Sequence, residues 1–209
     1  ASVEAFPDDP HTHFDLAITY SYTNHVQDGW DELKKATSEL NIVFNMVVFL
    51  ERFYPQKKLK KPELTKEDEW MMSRLHSTVK EFRASFEGYE LNRAAKALRT
   101  FIVDDVSRFY MKIAKDRVSG GENAEGALWT IYSVMLASLK MLGCISPMLS
   151  EHLYQKFFRK FEGEESLFLL SLAPEEESSI NALYEKQMDT VKEVVSIALL
   201  ARQSAGIKV

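Results

Sequence analysis

Residues 91–117 of this 209-residue chain read LNRAAKALRTFIVDDVSRFYMKIAKDR. The large apolar residues of this stretch recur at the steps expected for one face of an amphipathic helix. At 100° per residue they fall within a stripe about 60° wide, formed by Leu91, Leu98, Ile102, Phe109 and Ile113. The pattern therefore predicts a helix over residues 89–118, with this stripe packed against a core and Gly120 and Gly121 closing it.

Helical periodicity continues on both sides of this stretch. It predicts upstream helices over residues 31–54 and 65–88, and downstream helices over 123–146, over 147–161 and from the acidic loop after residue 162 to about Gly206. In the last helix we expect the apolar residues to face inward, namely Ile180, Leu183, Tyr184, Met188, Val191, Val194, Val195 and Ala198. The sequence thus predicts an all-α fold, an antiparallel helical bundle.

Two predicted helix starts carry recognisable capping residues. Thr65 is followed three residues later by Asp68, which approximates a capping box. Ser146 and Pro147 suit the N-cap and the first helical position of a new segment, because proline lacks an N–H that a first turn would leave unbonded anyway. Residues 1–28 show no helical period and are interpreted as a small attachment to the bundle.

The charge of the chain is distributed unevenly. The net charge of −5 argues by itself against a strongly basic nucleic-acid-binding module. However, residues 34–161 hold 22 Lys and Arg against 15 acids, a net +7, whereas residues 1–33 and 162–193 each carry −7. Such asymmetry can mark a surface that binds a polyanion, although an ordinary solvated surface is the alternative.

The basic residues of the predicted helix 89–118 lie opposite its apolar stripe. Arg93, Lys96, Arg108 and Lys115 share a sector about 120° wide along some 30 Å of helix. A rigid row of Arg and Lys suits the neutralisation of a nucleic-acid backbone, and an ordinary solvent-facing side of a bundle helix is equally compatible with it.

Asp105 is the exception in this helix, because it falls inside the apolar sector. A buried carboxylate is costly unless it is paired. Arg108, three residues on, and Lys112, seven residues on, are the nearest candidate partners. We therefore predict an internal ion pair rather than a catalytic acid.

A search for catalytic and metal-binding patterns gives nothing. The chain has no Gly-rich phosphate loop, no G-x-S-x-G, no H-E-x-x-H and no Glu-x-x-His pair. His11 and His13 lack a third ligand at a suitable spacing. We expect no catalytic residue, no metal and no cofactor in this chain. A single cysteine, acids near the first residue and apolar runs too short for a membrane span point to a cytoplasmic protein.

Five blocks of the sequence, in order, resemble the anticodon-binding region of class I aminoacyl-tRNA synthetases, most closely the archaeal and eukaryotic isoleucyl type. They are 40–45 (LNIVFN), 68–76 (DEWMMSRLH), 89–110 (with FIVDDVSRFY at its end), 146–154 (SPMLSEHLY) and 201–209 (ARQSAGIKV). The FIVDDVSRFY form is similar to the isoleucyl enzymes rather than the valyl ones. Phe44 and Phe109 stand where the family usually has Trp.

The resemblance implies a division into a connecting segment, residues 1–30, and a helical anticodon-binding domain, residues 31–209. It implies a parent enzyme that joins isoleucine to its tRNA with ATP and Mg²⁺, whereas this chain shows neither the H-I-G-H nor the K-M-S-K-S signature of the catalytic domain. The implied partners are the anticodon stem-loop of an isoleucine tRNA and the catalytic domain of the same protein, with no membrane. A valyl or leucyl synthetase domain and a stand-alone helical protein-interaction domain are the alternatives.

The residues expected to contact tRNA are all basic. Four of them form the predicted basic row, namely Arg93, Lys96, Arg108 and Lys115. Three further residues are Arg74, Lys112 and Arg117.

Overall fold

The computed structural model describes residues 26–172 and 179–206, with side chains from Ser38 onward. Within these residues the chain forms six helices and no strand, which confirms the predicted all-α bundle. Their bounds are α1 Val26–Phe53, α2 Lys66–Glu87, α3 91–118, α4 Ala124–Gly143, α5 147–162 and α6 Ala182–Ser204. A single 3-10 turn, Leu167–Leu169, follows α5.

Residues 1–25, most of the predicted connecting segment, lie outside the described residues. Helix α1 begins at Val26, before the predicted start at residue 31. The boundary placed between residues 30 and 31 therefore falls within a continuous helix, and the division into two domains stays a prediction.

The capping residues lie where the sequence placed them. Asp68 Oδ2 accepts a hydrogen bond from the Thr65 N–H at 3.1 Å, at the start of α2. Helix α5 begins at Pro147 with Ser146 as its N-cap. At the start of α4, the Asn123 side chain accepts from the Gly126 N–H at 3.1 Å, so the starts of α2 and α4 each have a side-chain partner for a backbone donor.

Helix α4 occupies the centre of the bundle and packs against α1, α2, α3 and α5. Ile131, Val134, Met135 and Leu139 on this helix are completely buried. By length and composition α4 could cross a membrane, but 78% of that apolar stretch is buried inside the bundle. Core packing therefore accounts for its apolarity.

Helix α3 is continuous but not uniform. It consists of an α-helical stretch Leu91–Thr100, a π-helical stretch Phe101–Tyr110 and a second α-helical stretch Met111–Val118. In the π-helical stretch backbone N–H groups reach five residues back, as Met111 does to the Val106 carbonyl. Each such turn holds more residues than an α-helical turn.

The π-helical turns change which side of α3 enters the core. The buried positions recur at every fourth residue, a spacing that drifts by about 40° per step on a regular α-helix. The wider turns compensate for this drift. The buried residues of that series are Ala94, Leu98, Ile102, Val106, Tyr110 and Ala114.

The predicted apolar stripe of α3 is correspondingly half right. Leu98 and Ile102 are buried, whereas Leu91 is 55% exposed and Phe109 and Ile113 are only partly buried. For Phe109 and Ile113 the difference arises because a constant 100° per residue does not hold across a helix that widens after Thr100. Leu91 lies before that stretch, at the first position of the helix, and is exposed there.

Helix α6 also differs from the prediction. Ile180, Tyr184 and Met188 are partly buried, but the other residues expected to face inward are exposed: Leu183, Val191, Val194, Val195 and Ala198. Helix α6 meets the rest of the bundle mainly through its first half, against α2. Beyond Lys192 no described residue covers its apolar side chains, which is why the predicted burial fails there.

Two leucines of α3 test its orientation. Leu98→Ala should lower the free energy of unfolding by about 2–5 kcal/mol, because it opens a cavity in the core. Leu91→Ala removes the same atoms from an exposed site and should change the free energy of unfolding by less than about 0.5 kcal/mol. Urea denaturation of both variants measures the difference, and equal losses would show that Leu91 is buried together with Leu98, as the predicted apolar stripe requires.

Candidate nucleic-acid interface

Five exposed basic side chains lie along α3 and form the candidate interface. They are Arg93, Lys96, Arg108, Lys112 and Lys115, which we call the α3 basic row. The buried side chains of α3 fix the helix against the core along its length, so the spacing of these charges is set by a rigid element. The π-helical turns alter the angles after Thr100, and the width of the row therefore differs from the 120° sector expected of a regular helix.

The two arginines of the row have acidic neighbours at the surface. Arg93 lies 3.3 Å from Glu90 and 3.5 Å from Glu81, and its side chain is 63% exposed. Arg108 lies 2.7 Å from Asp104 and is 70% exposed. Exposed pairs of this kind contribute little to stability and are screened by salt. A phosphate could therefore replace these carboxylates at small cost.

The three lysines of the row make no ion pair with any residue that the structure describes. Lys96, Lys112 and Lys115 are exposed. A nucleic acid carries condensed cations along its phosphates, and each lysine that neutralises a phosphate releases some of them, which favours binding.

Arg117 has a different position from the rest of the predicted set. Its guanidinium binds both carboxylate oxygens of Asp68, with Nη1–Oδ1 2.7 Å and Nη2–Oδ2 2.8 Å. It also donates to Thr65 Oγ1 at 3.2 Å and to the Asn123 carbonyl at 2.9 Å. The geometry assigns Arg117 to holding the start of α2 against the end of α3 and the start of α4.

Asp68 is the acceptor on which this arrangement converges. Its side chain is fully buried, and it accepts hydrogen bonds from Arg117, from the Tyr110 hydroxyl and from the Thr65 N–H. Burial alone would raise the pKa of Asp68, but the bonds from Arg117, Tyr110 and Thr65 outweigh it and hold the pKa below its usual value. For Tyr110, burial and the neighbouring carboxylate raise the pKa.

Arg74, the one predicted site residue outside α3, is also engaged in the interior. It lies 2.9 Å from Asp105 and 3.0 Å from Glu185 of α6. Glu185 accepts further hydrogen bonds from Ser73 and Ser77. Arg74 thus joins α2 to α3 and to α6, rather than facing a ligand.

Asp105 is buried and ion-paired, as predicted, but its partners are not those expected. Arg74 and Lys192 bind it, whereas Arg108 turns to Asp104 and Lys112 is exposed. The widened turn of α3 directs Asp105 toward α2 and α6, away from the residues three and seven positions on.

Lys192 is a residue that sequence reasoning did not identify. Its ammonium group binds Asp105 and lies 4.7 Å from the ring centroid of Trp70 and 5.4 Å from that of Phe109. A cation between a carboxylate and two aromatic rings is held by both kinds of attraction. Lys192 also lies 3.5 Å from the neighbouring Asp189. Asp105, Trp70 and Phe109, however, lie more than eighty positions away in sequence, so no local signal could have indicated these contacts.

Substitution of Arg117 tests the buried pair. Arg117→Ala should lower the free energy of unfolding by about 3–5 kcal/mol, because it leaves the Asp68 carboxylate buried without a counter-charge. Arg108→Ala removes an arginine from an exposed ion pair and should change the free energy of unfolding by less than about 1 kcal/mol. Equal effects in chemical denaturation would contradict the structural role given to Arg117.

The depressed pKa of Asp68 predicts an acid-sensitive fold. A carboxyl whose folded pKa lies below its unfolded value contributes stability that is present above about pH 4 and is lost as the pH falls through the folded pKa. Asp68→Asn should therefore flatten the decline of unfolding free energy below about pH 4. Asp104→Asn, at an exposed pair, serves as the control and should keep the wild-type slope in acid denaturation.

Comparison with known proteins identifies the family of this chain. The family model for the anticodon-binding domain of tRNA ligase matches residues 68–209. The isoleucine–tRNA ligase of Archaeoglobus fulgidus is 32% identical over 203 residues, covering 93% of this chain and 20% of that protein. The isoleucine–tRNA ligase of Pyrococcus furiosus is 30% identical over 190 residues, covering 86% of this chain and 18% of that protein.

The isoleucine–tRNA ligase of Thermococcus kodakarensis is 30% identical over 211 residues, covering 96% of this chain and 20% of that protein. The chain thus spans about a fifth of the length of these curated relatives. The family match extends from Asp68, the centre of the buried network, through α3 and α6. This chain belongs to the family of anticodon-binding domains of tRNA ligases.

Proposed function

We propose that this chain binds the anticodon stem-loop of a tRNA as part of an isoleucine–tRNA ligase. The observation that carries the proposal is the α3 basic row, five exposed Lys and Arg side chains on one rigid helix. The family match and the names of the relatives support the same function.

The chemistry of the row suits the phosphates of an RNA stem. Phosphate contacts fix the register and orientation of a nucleic acid, whereas sequence is read mainly in unpaired, splayed bases. Arg93 and Arg108 present planar forks to phosphate oxygens, and the three lysines add mobile point charges. The row therefore positions the stem and leaves the reading of bases to other groups. Arg74 and Arg117 act in this proposal by holding the helices that carry the row.

The longer protein would activate isoleucine with ATP and Mg²⁺ and transfer it to the bound tRNA in the cytoplasm. The support is the ligase activity for which the relatives, about five times longer than this chain, are named. In this proposal the chemistry takes place in parts of the protein outside this chain, and the helical bundle supplies only the hold on the tRNA.

Salt-dependent binding tests the proposed function. The affinity of the 209-residue chain for a labelled isoleucine anticodon stem-loop, measured by fluorescence anisotropy, should fall steeply as salt rises. Lys96→Gln should reduce the slope of log K against log salt by about 0.7–0.9, the contribution of one phosphate contact. Lys186→Gln removes an exposed lysine from α6 and should leave the slope unchanged.

Three results would contradict the proposal in different ways. Salt-independent binding would exclude the α3 basic row as the contact surface. Equal affinity for isoleucine and valine stem-loops would remove the support for isoleucine. A chain that ignores RNA and binds a protein through the exposed apolar side chains of α6 would be a protein-interaction domain.

A further inference from the structure

A second basic surface lies between α1 and α2, outside the α3 basic row. The connecting loop, residues 54–65, carries four exposed lysines, Lys57, Lys58, Lys60 and Lys61. Of these, only Lys58 forms an ion pair with a described residue, 2.7 Å from Glu162 at the end of α5. The loop therefore presents a concentrated positive charge that the proposed contacts of α3 do not use.

The backbone of this lysine loop is held at several points. The Tyr54 hydroxyl accepts a hydrogen bond from the Leu59 N–H at 3.1 Å, and Tyr54 itself stacks on Tyr132. The Asn123 side chain donates to the Glu63 carbonyl at 3.0 Å. A loop fixed at its start, middle and end presents its charges in a defined arrangement, which reduces the entropy lost on binding.

The same contacts bring the loop beside the end of α3. Arg117 lies two residues after Lys115 of the α3 basic row. Its guanidinium donates a hydrogen bond to Thr65 Oγ1 at 3.2 Å. Thr65 follows Lys61 by four positions. A strand that runs past the C-terminal end of α3 would meet the lysine loop next.

An aromatic side chain accompanies these lysines. Lys61 Nζ lies 5.8 Å from the ring centroid of Trp129 on α4, whose side chain is half-buried. A cation beside a partly exposed aromatic ring is the combination that binds single-stranded nucleic acid, since phosphates meet the charge and bases stack on the ring.

We propose that the lysine loop binds an unpaired strand of RNA, with phosphates on Lys57, Lys60 and Lys61 and a base against Trp129. This proposal rests on the proposed tRNA binding and adds a second contact surface to it. An acidic protein segment would also be attracted by the lysines, but the neighbouring ring of Trp129 favours a ligand that carries bases.

Two RNAs separate the two surfaces. One is the anticodon stem-loop, and the other is the same stem as a duplex without the unpaired loop. Lys60→Gln should weaken binding of the stem-loop, reduce its salt slope by about 0.7, and leave binding of the duplex unchanged. Lys96→Gln, in the α3 basic row, should weaken binding of both RNAs, and Lys186→Gln should weaken neither.

Trp129 gives a second measurement. Trp129→Ala should weaken binding of the stem-loop by about tenfold through the loss of one stacked base, with no change for the duplex. The Trp129→Ala variant must still unfold in one cooperative thermal transition, so that weaker binding reports the lost ring and not an unfolded chain. Lys60 is exposed and makes no ion pair with the described residues, so Lys60→Gln tests the proposal even where Trp129→Ala unfolds the chain.

The outcomes distinguish this proposal from the one on which it rests. If Lys60→Gln binds the stem-loop like the wild type while Lys96→Gln does not, the lysine loop is not a contact surface and the tRNA-binding function stands. If the wild type binds neither RNA, both proposals fail. If polyglutamate competes with the stem-loop for the wild type but not for Lys60→Gln, the loop binds an acidic protein segment instead.

Discussion

The fully buried carboxylate of Asp68 is the constraint around which the bundle is assembled. A charge at that depth is tolerated only if every lone pair that faces the interior has a donor. Arg117 supplies a bidentate pair, Tyr110 a hydroxyl and Thr65 a backbone N–H. Since these donors come from the start of α2 and from α3, satisfying one carboxylate fixes the relative position of both helices. Arg117 extends the same contact to the start of α4.

A second buried carboxylate performs the same task for α6. Asp105 binds Arg74 of α2 and Lys192 of α6, and Arg74 also binds Glu185. Charged and polar groups therefore attach helix α6 together with Met188, the residue of its apolar side that packs against the core. The basic residues of this protein thus divide by burial. Those paired with buried acids hold helices together, and those on the exposed side of α3 and in the lysine loop remain available to an anionic ligand.

Several predictions from the sequence were confirmed because they depend on local physics. The helix starts at Thr65 and Ser146 follow from side chains and a proline that act within one turn. The all-α fold follows from apolar spacing, and the burial of Asp105 from its place within that spacing. The exposure of Arg93, Lys96, Arg108 and Lys115 was predicted in the same way, whereas Lys112 lay outside the predicted basic sector. By contrast, the partners of Asp105 were predicted wrongly, because only residues near in sequence were considered and the true partners belong to other helices.

The sequence by itself determined the helical class, most helix boundaries and the family, since these depend on periodicity, caps and ordered motifs. Only the tertiary structure decided which of the predicted basic residues pair with buried acids, because those acids are distant in sequence. It removed Arg74 and Arg117 from the solvent-facing set by pairing them with Asp105 and Asp68. It also showed that the π-helical turns of α3 rotate the second half of the helix, a change that no fixed angle per residue reproduces.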